Sequence, residues 1–383
     1  KEITDKLIQK HGSVQNIAKN IGVSRDLLYL WRTENFSSGI PLNAFVKLGL
    51  EAGYSFEELS HHVKEIFLSY GKNIKIPKNI DNEEIAYLAG LVLGDGNIYL
   101  TKNSAATRIF NQSEQILQEV DRIVSKNFGI KTEKINDGIR VPNRRIASIP
   151  LYLILNSYGI VKEKNKIKIS CVASEFSNKI VSKILQGLFD TDGYTAKTKK
   201  GSSHVGLSTI STDLAKTIQL SLLKFGIHAK LRLRKKAGAI AVGKNITVKS
   251  NHDQYYIEIR GKENLEKFQS QINFNLERKK DSLKEIIDSI PKSNTNIDVI
   301  PEIKNSLEDL PRTGYVRNTA KNISRNKLTE LVEKYKSKTK NEFLELLSNS
   351  DIFWEPITEK TEFKPAYEYV YDFSVKDSHN FIA

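Results

Sequence analysis

One nine-residue pattern occurs twice in this chain, and it limits the fold more than any other feature. Residues 88–96 read LAGLVLGDG and residues 185–193 read LQGLFDTDG, so Leu, Gly, Leu, Asp and Gly coincide at five of nine positions. The step from Asp95 to Asp192 is 97 residues, and the same step carries Phe128, Gly129 and Ile130 onto Phe225, Gly226 and Ile227. Two matches at one offset mark a duplicated domain.

Each copy reads as a short helix that is apolar nearly all round, which suits an element buried between layers. Gly90 and Gly94 lie one turn apart, as do Gly187 and Thr191. Small residues at that spacing let two helix backbones approach closely, so the two helices are expected to pack against each other. Asp95 and Asp192 then sit near helix C-termini, where the macrodipole is already partly negative. Two facing carboxylates there repel each other, and bound divalent cations would relieve the repulsion. The repeat also separates the acids: Asp190 has Leu93 as its counterpart, whereas Asp95 and Asp192 share one slot.

These residues resemble the LAGLIDADG homing endonucleases in their single-chain, two-motif form, over roughly residues 82–290. The resemblance implies an α+β core of two αββαββα halves related by pseudo-twofold symmetry, with saddle-like antiparallel sheets. It implies a monomer that cuts double-stranded DNA at a long site, leaving 3′ overhangs. Asp95 and Asp192 would hold Mg²⁺, with Mn²⁺ able to substitute, and Gly94 and Thr191 would be further metal positions. It also implies one lysine per half near the active site, from the cluster with Lys166 and Lys168 and from the cluster with Lys279 and Lys280. The family commonly has Ile-Pro after the first lysine; here Ile169 is followed by Ser170, so Lys166 and Lys168 are not distinguished.

Charge agrees with a polyanionic partner. Lys and Arg number 59 against 45 Asp and Glu, a net charge of +14, which favours nucleic acid over membrane. No apolar run approaches the roughly 18 residues of a spanning helix. The single Cys171 excludes an internal disulfide or a multi-cysteine zinc site, and an intracellular protein (cytoplasm or nucleoid) is expected. The chain starts at Lys1 and lacks methionine, as expected of a piece cut from a longer product.

Residues 1–75 form an expected helical domain. Ala18, Gly22, Leu28 and Trp31 have helix-turn-helix spacing, with Arg25, Asp26, Tyr29 and Arg32 facing outward toward a DNA groove. Residues 71–79 read as a linker to an endonuclease domain at 80–290, with repeats at about 82–170 and 176–290. In the first repeat, strands are expected near Ile98 and over 108–111, a helix over 114–128, strands around Lys131 and Ile139, and a helix over 146–158. The second follows the same course, with an insertion near 235–250.

Strand alternation in KLRLRKK puts Lys230, Arg232 and Arg234 on one face, with Leu231 and Leu233 packing on the other. That cationic face, with Arg260 at the end of strand 255–260, is the expected DNA-reading surface. Lys197, Lys199 and Lys200 suit phosphate contacts. Residues 291–348 read as an accessory helical domain whose Arg312, Arg317, Lys321 and Arg325 permit DNA contact. Residues 349–383 form a β-rich tail, and VYDFSVKDSHNFIA resembles the C-terminal splicing segment of inteins. Lys1 is no thiol or hydroxyl nucleophile and His379-Asn380 precedes Phe381, so the chain is not expected to splice itself.

The whole reads as an intein-derived, metal-dependent DNA endonuclease. The alternative is a catalytically inactive helix-turn-helix regulator on the same scaffold, against which both retained aspartates argue. An RNA maturase is a second rival, disfavoured by the DNA-type helix-turn-helix.

Overall fold

The computed structural model describes residues 2–33, 40–63, 65–66, 74–75, 82–100, 104–163, 166–169, 176–197, 203–242, 247–290, 298–309, 322–335, 341–350 and, beyond these, 352–355, 357, 360–362 and 364. The splicing-like segment and Lys199, Lys200, Arg312, Arg317 and Lys321 lie outside the described residues. The chain divides into two compact units, Lys1–Ser293 and Asn294–Ala383.

The first unit opens with five helices: α1 (Glu2–His11), α2 (Val14–Ile21), α3 (Arg25–Arg32), α4 (Leu42–Glu51) and α5 (Phe56–His62). Ser13 and Ser24 cap α2 and α3 by accepting the N–H of Asn16 and Leu27, each at 3.2 Å. Gly22 ends α2 at φ +81°, where a side chain would be strained, and starts the three-residue turn into α3. Leu7, Ile17, Ala18, Ile21, Leu28, Trp31, Ala44 and Leu48 close a separate small core. Two short strands, β1 (Glu65–Ile66) and β2 (Ile74–Lys75), pair antiparallel across part of the expected linker.

The duplicated core follows. Its first half runs α6 (Glu83–Asp95), β3 (Gly96–Leu100), β4 (Ala105–Phe110), α7 (Glu114–Phe128), β5 (Glu133–Ile135), β6 (Asn143–Ala147), α8 (Ile149–Ser157). A hairpin of β7 (Ile160–Glu163) and β8 (Lys166–Ile169) leads to the second half. That half runs α9 (Asn178–Thr191), β9 (Gly193–Ala196), β10 (His204–Thr209), α10 (Thr212–Leu223), β11 (Ala229–Lys235), β14 (Gln254–Arg260), α11 (Lys262–Gln271) and α12 (Glu277–Ser289). Its insertion forms a small hairpin, β12 (Ile240–Val242) with β13 (Thr247–Lys249). The sheet orders are β3-β4-β6-β5 and β9-β10-β14-β11, the same topology twice and antiparallel throughout. This is the expected duplicated αββαββα fold.

The strands expected around Lys131 and Ile139 are displaced: they are β5 and β6, and Ile139 lies in the exposed turn between them. The reason is Arg144, which occupies a core-facing position in β6. It is buried because it donates to Asp121 (3.0 Å) and Glu114 (2.9 Å) on α7. The paired arginine takes the place of an aliphatic residue, so period-two hydrophobicity is absent from the sequence there.

The second unit is described by itself. It comprises β15 (Val299–Ile300), a 3₁₀ turn (Lys304–Asp309), β16 (Ile323–Ser324), α13 (Arg325–Tyr335) and α14 (Glu342–Asn349), around Ile300, Ile303, Leu307, Leu328, Leu331 and Leu344. Arg325 is not displayed for a partner here. It donates to Asp298 (2.7 Å) and Ser350 (2.8 Å) and to the Leu347 carbonyl, tying the unit together.

Candidate active site

The site is built by the two motif helices. Asn82 caps α6, accepting from Glu84 N (2.9 Å) and Ile85 N (3.2 Å). Glu84 holds the entry through Arg122 (2.7 Å), Lys126 (3.0 Å) and Asn127 (3.0 Å); these partners outweigh its burial and lower its pKa to about 2. From Ile85 to Leu93 every residue of α6 is buried, and the same holds from Ile184 to Asp190 in α9. The helices touch backbone to backbone. A methyl group at Gly90 would overlap the Ile184 carbonyl and lie 2.9 Å from Gly187 Cα, and one at Gly187 would lie 2.9 Å from Leu91 N. One turn on, a methyl at Gly94 would overlap Thr191 and lie 3.4 Å from Cγ of Asp192. Small residues at one-turn spacing thus bring the two helix ends, and with them Asp95 and Asp192, together.

The end of each helix leaves carbonyls without intrahelical donors, and a lysine satisfies them. In the second half Lys279, buried at the start of α12, donates to the carbonyls of Phe189 (2.9 Å), Asp190 (2.6 Å) and Gly193 (2.6 Å). Lys280, the other candidate there, only pairs with Glu277 on the surface (2.8 Å). In the first half the corresponding group is Lys162 on β7. It donates to Val92 O (3.1 Å), Leu93 O (2.8 Å) and the Gly94 carbonyl. Lys162 lies four and six residues before Lys166 and Lys168, the two candidates of the sequence cluster, of which only the backbone is described. Those residues pair in register with Glu163 and Val161, out of phase with Lys162, which pairs with Ile167.

Electrostatics at the site are strained in a consistent direction. Burial, then the neighbouring Asp95, push Asp192 up to about 6, against the pull of Lys162 and Lys279. Asp95 is also raised by burial, opposed by a hydrogen bond from Asn111 (2.7 Å) and by both lysines. Burial lowers Lys279 to about 8 and lowers Lys162 too, with both aspartates opposing. Asn111 was not singled out by the motif, because it sits at the end of β4, 16 residues from Asp95.

Asp190 has a different role. It is buried, accepts from Tyr87 Oη (2.7 Å) and from the N–H groups of Asn275 (3.0 Å) and Leu276 (3.2 Å), and so staples α6 to the loop before α12. Among the described residues no group of three or more His, Cys, Asp and Glu is placed to hold a metal. Two carboxylates do fit Mg²⁺ or Mn²⁺, hard ions that take one or two carboxylates and fill their shell with water and phosphate oxygens. The Gly94 and Thr191 carbonyls already accept from Lys162 and Lys279.

The remaining candidates fall on three surfaces. On α3, Arg25 is exposed beside Asp26, and Tyr29 is exposed. Arg32 pairs with Asp5 of α1 (2.9 Å) and is partly exposed. Lys197 is exposed and pairs with Glu285 (3.4 Å). On β11, Lys230, Arg232 and Arg234 are exposed and Leu231 packs on the core. Leu233 does not pack as expected; it is 45% exposed, where a register shift between Leu233 and Lys235 interrupts the alternation. Arg260 lies on the same sheet and donates to Glu258.

Two like α+β halves, joined through a pair of close-packed helices that bring two carboxylates and two lysines to one point, define a duplicated-domain protein with one composite site. Residues 82–168 and 179–273 each match the family described as LAGLIDADG-like domain, and the chain belongs to that family through these two copies. The chain is 25% identical to a glutamine–fructose-6-phosphate aminotransferase over 86% of this chain and 29% of that protein. It is 25% identical to a reverse gyrase over 100% and 23%, and 30% identical to a replication factor C small subunit over 66% and 12%. All three are from Methanocaldococcus jannaschii, and the chain spans less than a third of each. Among solved structures it is similar to a variant of the homing endonuclease I-DmoI (18% identity, TM-score 0.38, covering 51% of this chain and 92% of that one). No helix among the described residues is long and apolar enough to cross a membrane.

Proposed function

We propose that this chain is a site-specific, metal-dependent double-strand DNA endonuclease acting as a monomer. The observation that carries the reading is the pairing of Asp95 and Asp192 at two touching helix ends, each end held by a lysine, the half-buried Lys162 or the buried Lys279. A structural helix pair has no need of two carboxylates whose burial opposes their ionisation. A phosphodiester-cleaving site does, because the divalent cations they hold activate water and balance charge on the phosphate. The two aspartates would hold Mg²⁺ or Mn²⁺. Lys162 and Lys279 would place positive charge beside the scissile phosphates. Two half-sites, one aspartate each, suit one cut in each strand.

The exposed cations of β11 and the α3 face with Arg25 and Tyr29 would supply DNA contacts, the former over the centre of the site and the latter at one flank. An intein origin is supported by the relatives: an aminotransferase, a reverse gyrase and a replication factor C small subunit have unlike names, yet each matches this chain over a minor part of its own length. A segment shared by proteins of unlike function behaves as an insert.

The test is incubation of the protein with Mg²⁺ and a plasmid library carrying randomised inserts, with mapping of any ends produced. Defined double-strand ends that vanish in EDTA support the reading. Binding to a defined sequence with no cleavage under any divalent metal supports the non-catalytic regulator instead.

A further inference from the structure

The two sheets carry opposite charge at the same point of their register. In the first sheet Arg145 of β6 pairs across to Arg108 on β4 and Glu133 on β5. The motif glycines align the second sheet on the first, since Gly96 pairs with Ile109 and Gly193 with Leu207. From there the equivalent of Arg145 is Glu258 of β14, which pairs across to Gly206 on β10 and Lys230 on β11. A central arginine with an edge glutamate has become a central glutamate with an edge lysine.

Glu258 is 5% exposed although it lies on the sheet face away from the core, where Ile257 and Ile259 point. It is enclosed by basic side chains. Arg260 donates to its Oε2 through Nε and Nη2, both at 3.1 Å, while Arg232 Nε and His204 Nε2 lie 4.0 Å from its carboxylate. Burial opposes its ionisation, but Arg260, His204 and Arg232 prevail and hold its pKa below the usual carboxylate value. A surface meant only to grip phosphate gains nothing from a buried carboxylate at its centre, since that charge repels the backbone it should attract. What the carboxylate does is hold the Arg260 guanidinium in a fixed orientation through two hydrogen bonds, with Arg232 attracted at longer range, and a fixed orientation is what base-edge recognition needs and phosphate attraction does not.

We infer that Glu258 is a specificity-determining positioning residue, restraining Arg260 to read a base edge in one half-site and keeping it off the phosphates. The inference rests on the DNA reading above. It also makes the two half-sites chemically unlike at their equivalent points.

The experiment uses the full chain in EDTA, with the duplex that wild type selects from a randomised pool and a random-sequence duplex as comparison. Glu258→Gln should bind the random duplex severalfold more tightly and lose discrimination by roughly tenfold, the worth of one good bidentate base contact. Its log affinity should fall more steeply with log salt, by about one unit for each additional phosphate engaged. Glu258→Asp, which keeps the charge, should restore part of the discrimination. A merely structural loss would weaken both duplexes together. If E258Q does not fold, as read by thermal melting, Arg260→Gln carries the test and should lose discrimination at the same base positions. Unchanged discrimination in whichever variant folds overturns the inference, whereas wild type selecting no duplex at all overturns the DNA reading itself.

Discussion

Replacing Asp192 with Asn should make the metal-free fold more stable near neutral pH while removing cleavage. Asp192 is raised from 3.8 to about 6 in the folded chain, chiefly by burial and then by Asp95. A raised carboxyl pKa means that the folded state prefers the protonated form. Stability is therefore greatest below the unfolded value near 3.8, falls as pH rises between 3.8 and about 6, and stays reduced above it. Roughly two units at about 1.4 kcal/mol each give about 3 kcal/mol, or about 2 kcal/mol once solvent access to a partly open carboxylate is allowed for. Asn keeps the size without the charge, so D192N should recover about 2 kcal/mol at pH 7.5 and nothing at pH 3.5. Urea melts of both proteins in EDTA across that window measure the difference directly. Adding Mg²⁺ should then stabilise wild type more than D192N, because a ligand that binds only the folded state raises its stability. A D192N protein less stable than wild type at pH 7.5 in EDTA would refute the argument that burial and carboxylate repulsion dominate this site.

Asp190→Asn should lose on the order of 2 kcal/mol even though burial raises this carboxyl too, because the amide turns an NH₂ donor toward the Tyr87, Asn275 and Leu276 donors and leaves some of them unsatisfied; melting at pH 7.5 decides. Lys162→Met and Lys279→Met should each abolish cleavage of the selected site, whereas Lys280→Met should leave it within about twofold; its ion pair with Glu277 is on the surface and such pairs contribute little. Gly90→Ala should cost about 3 kcal/mol, the upper end for overpacking, since its methyl overlaps the Ile184 carbonyl and no side chain can yield; calorimetry checks it. Deleting residues 1–75 should shrink the DNA footprint on one flank and flatten the salt dependence of binding by about 0.9 for each phosphate that those helices neutralise.

How much was legible follows from how locally each feature is encoded. The helix expected over 114–128 is Glu114–Phe128, because its apolar residues recur at helical spacing and Gly129 ends it at φ +68°. The motif helices and their close approach were legible from Gly90, Gly94, Gly187 and Thr191, since backbone contact requires small residues whatever surrounds them. The strand containing Arg144 was not legible, since an arginine becomes a core residue only when Asp121 and Glu114 on another element reach it.

The sequence by itself therefore determined the duplication, the αββαββα order, the helix pair and the shared slot of Asp95 and Asp192. All of these follow from residue type and spacing within one segment. Only the tertiary structure decided which lysine closes each half. Lys162, Lys166 and Lys168 are chemically alike, and what separates them is the register of β7 on β8 and where that hairpin lies against the end of α6. Tertiary structure likewise decided that Arg32 serves α1, that Asp190 is a staple, and that Glu258 sits among basic side chains, because the partners of a charge are distant in sequence and meet only in the fold.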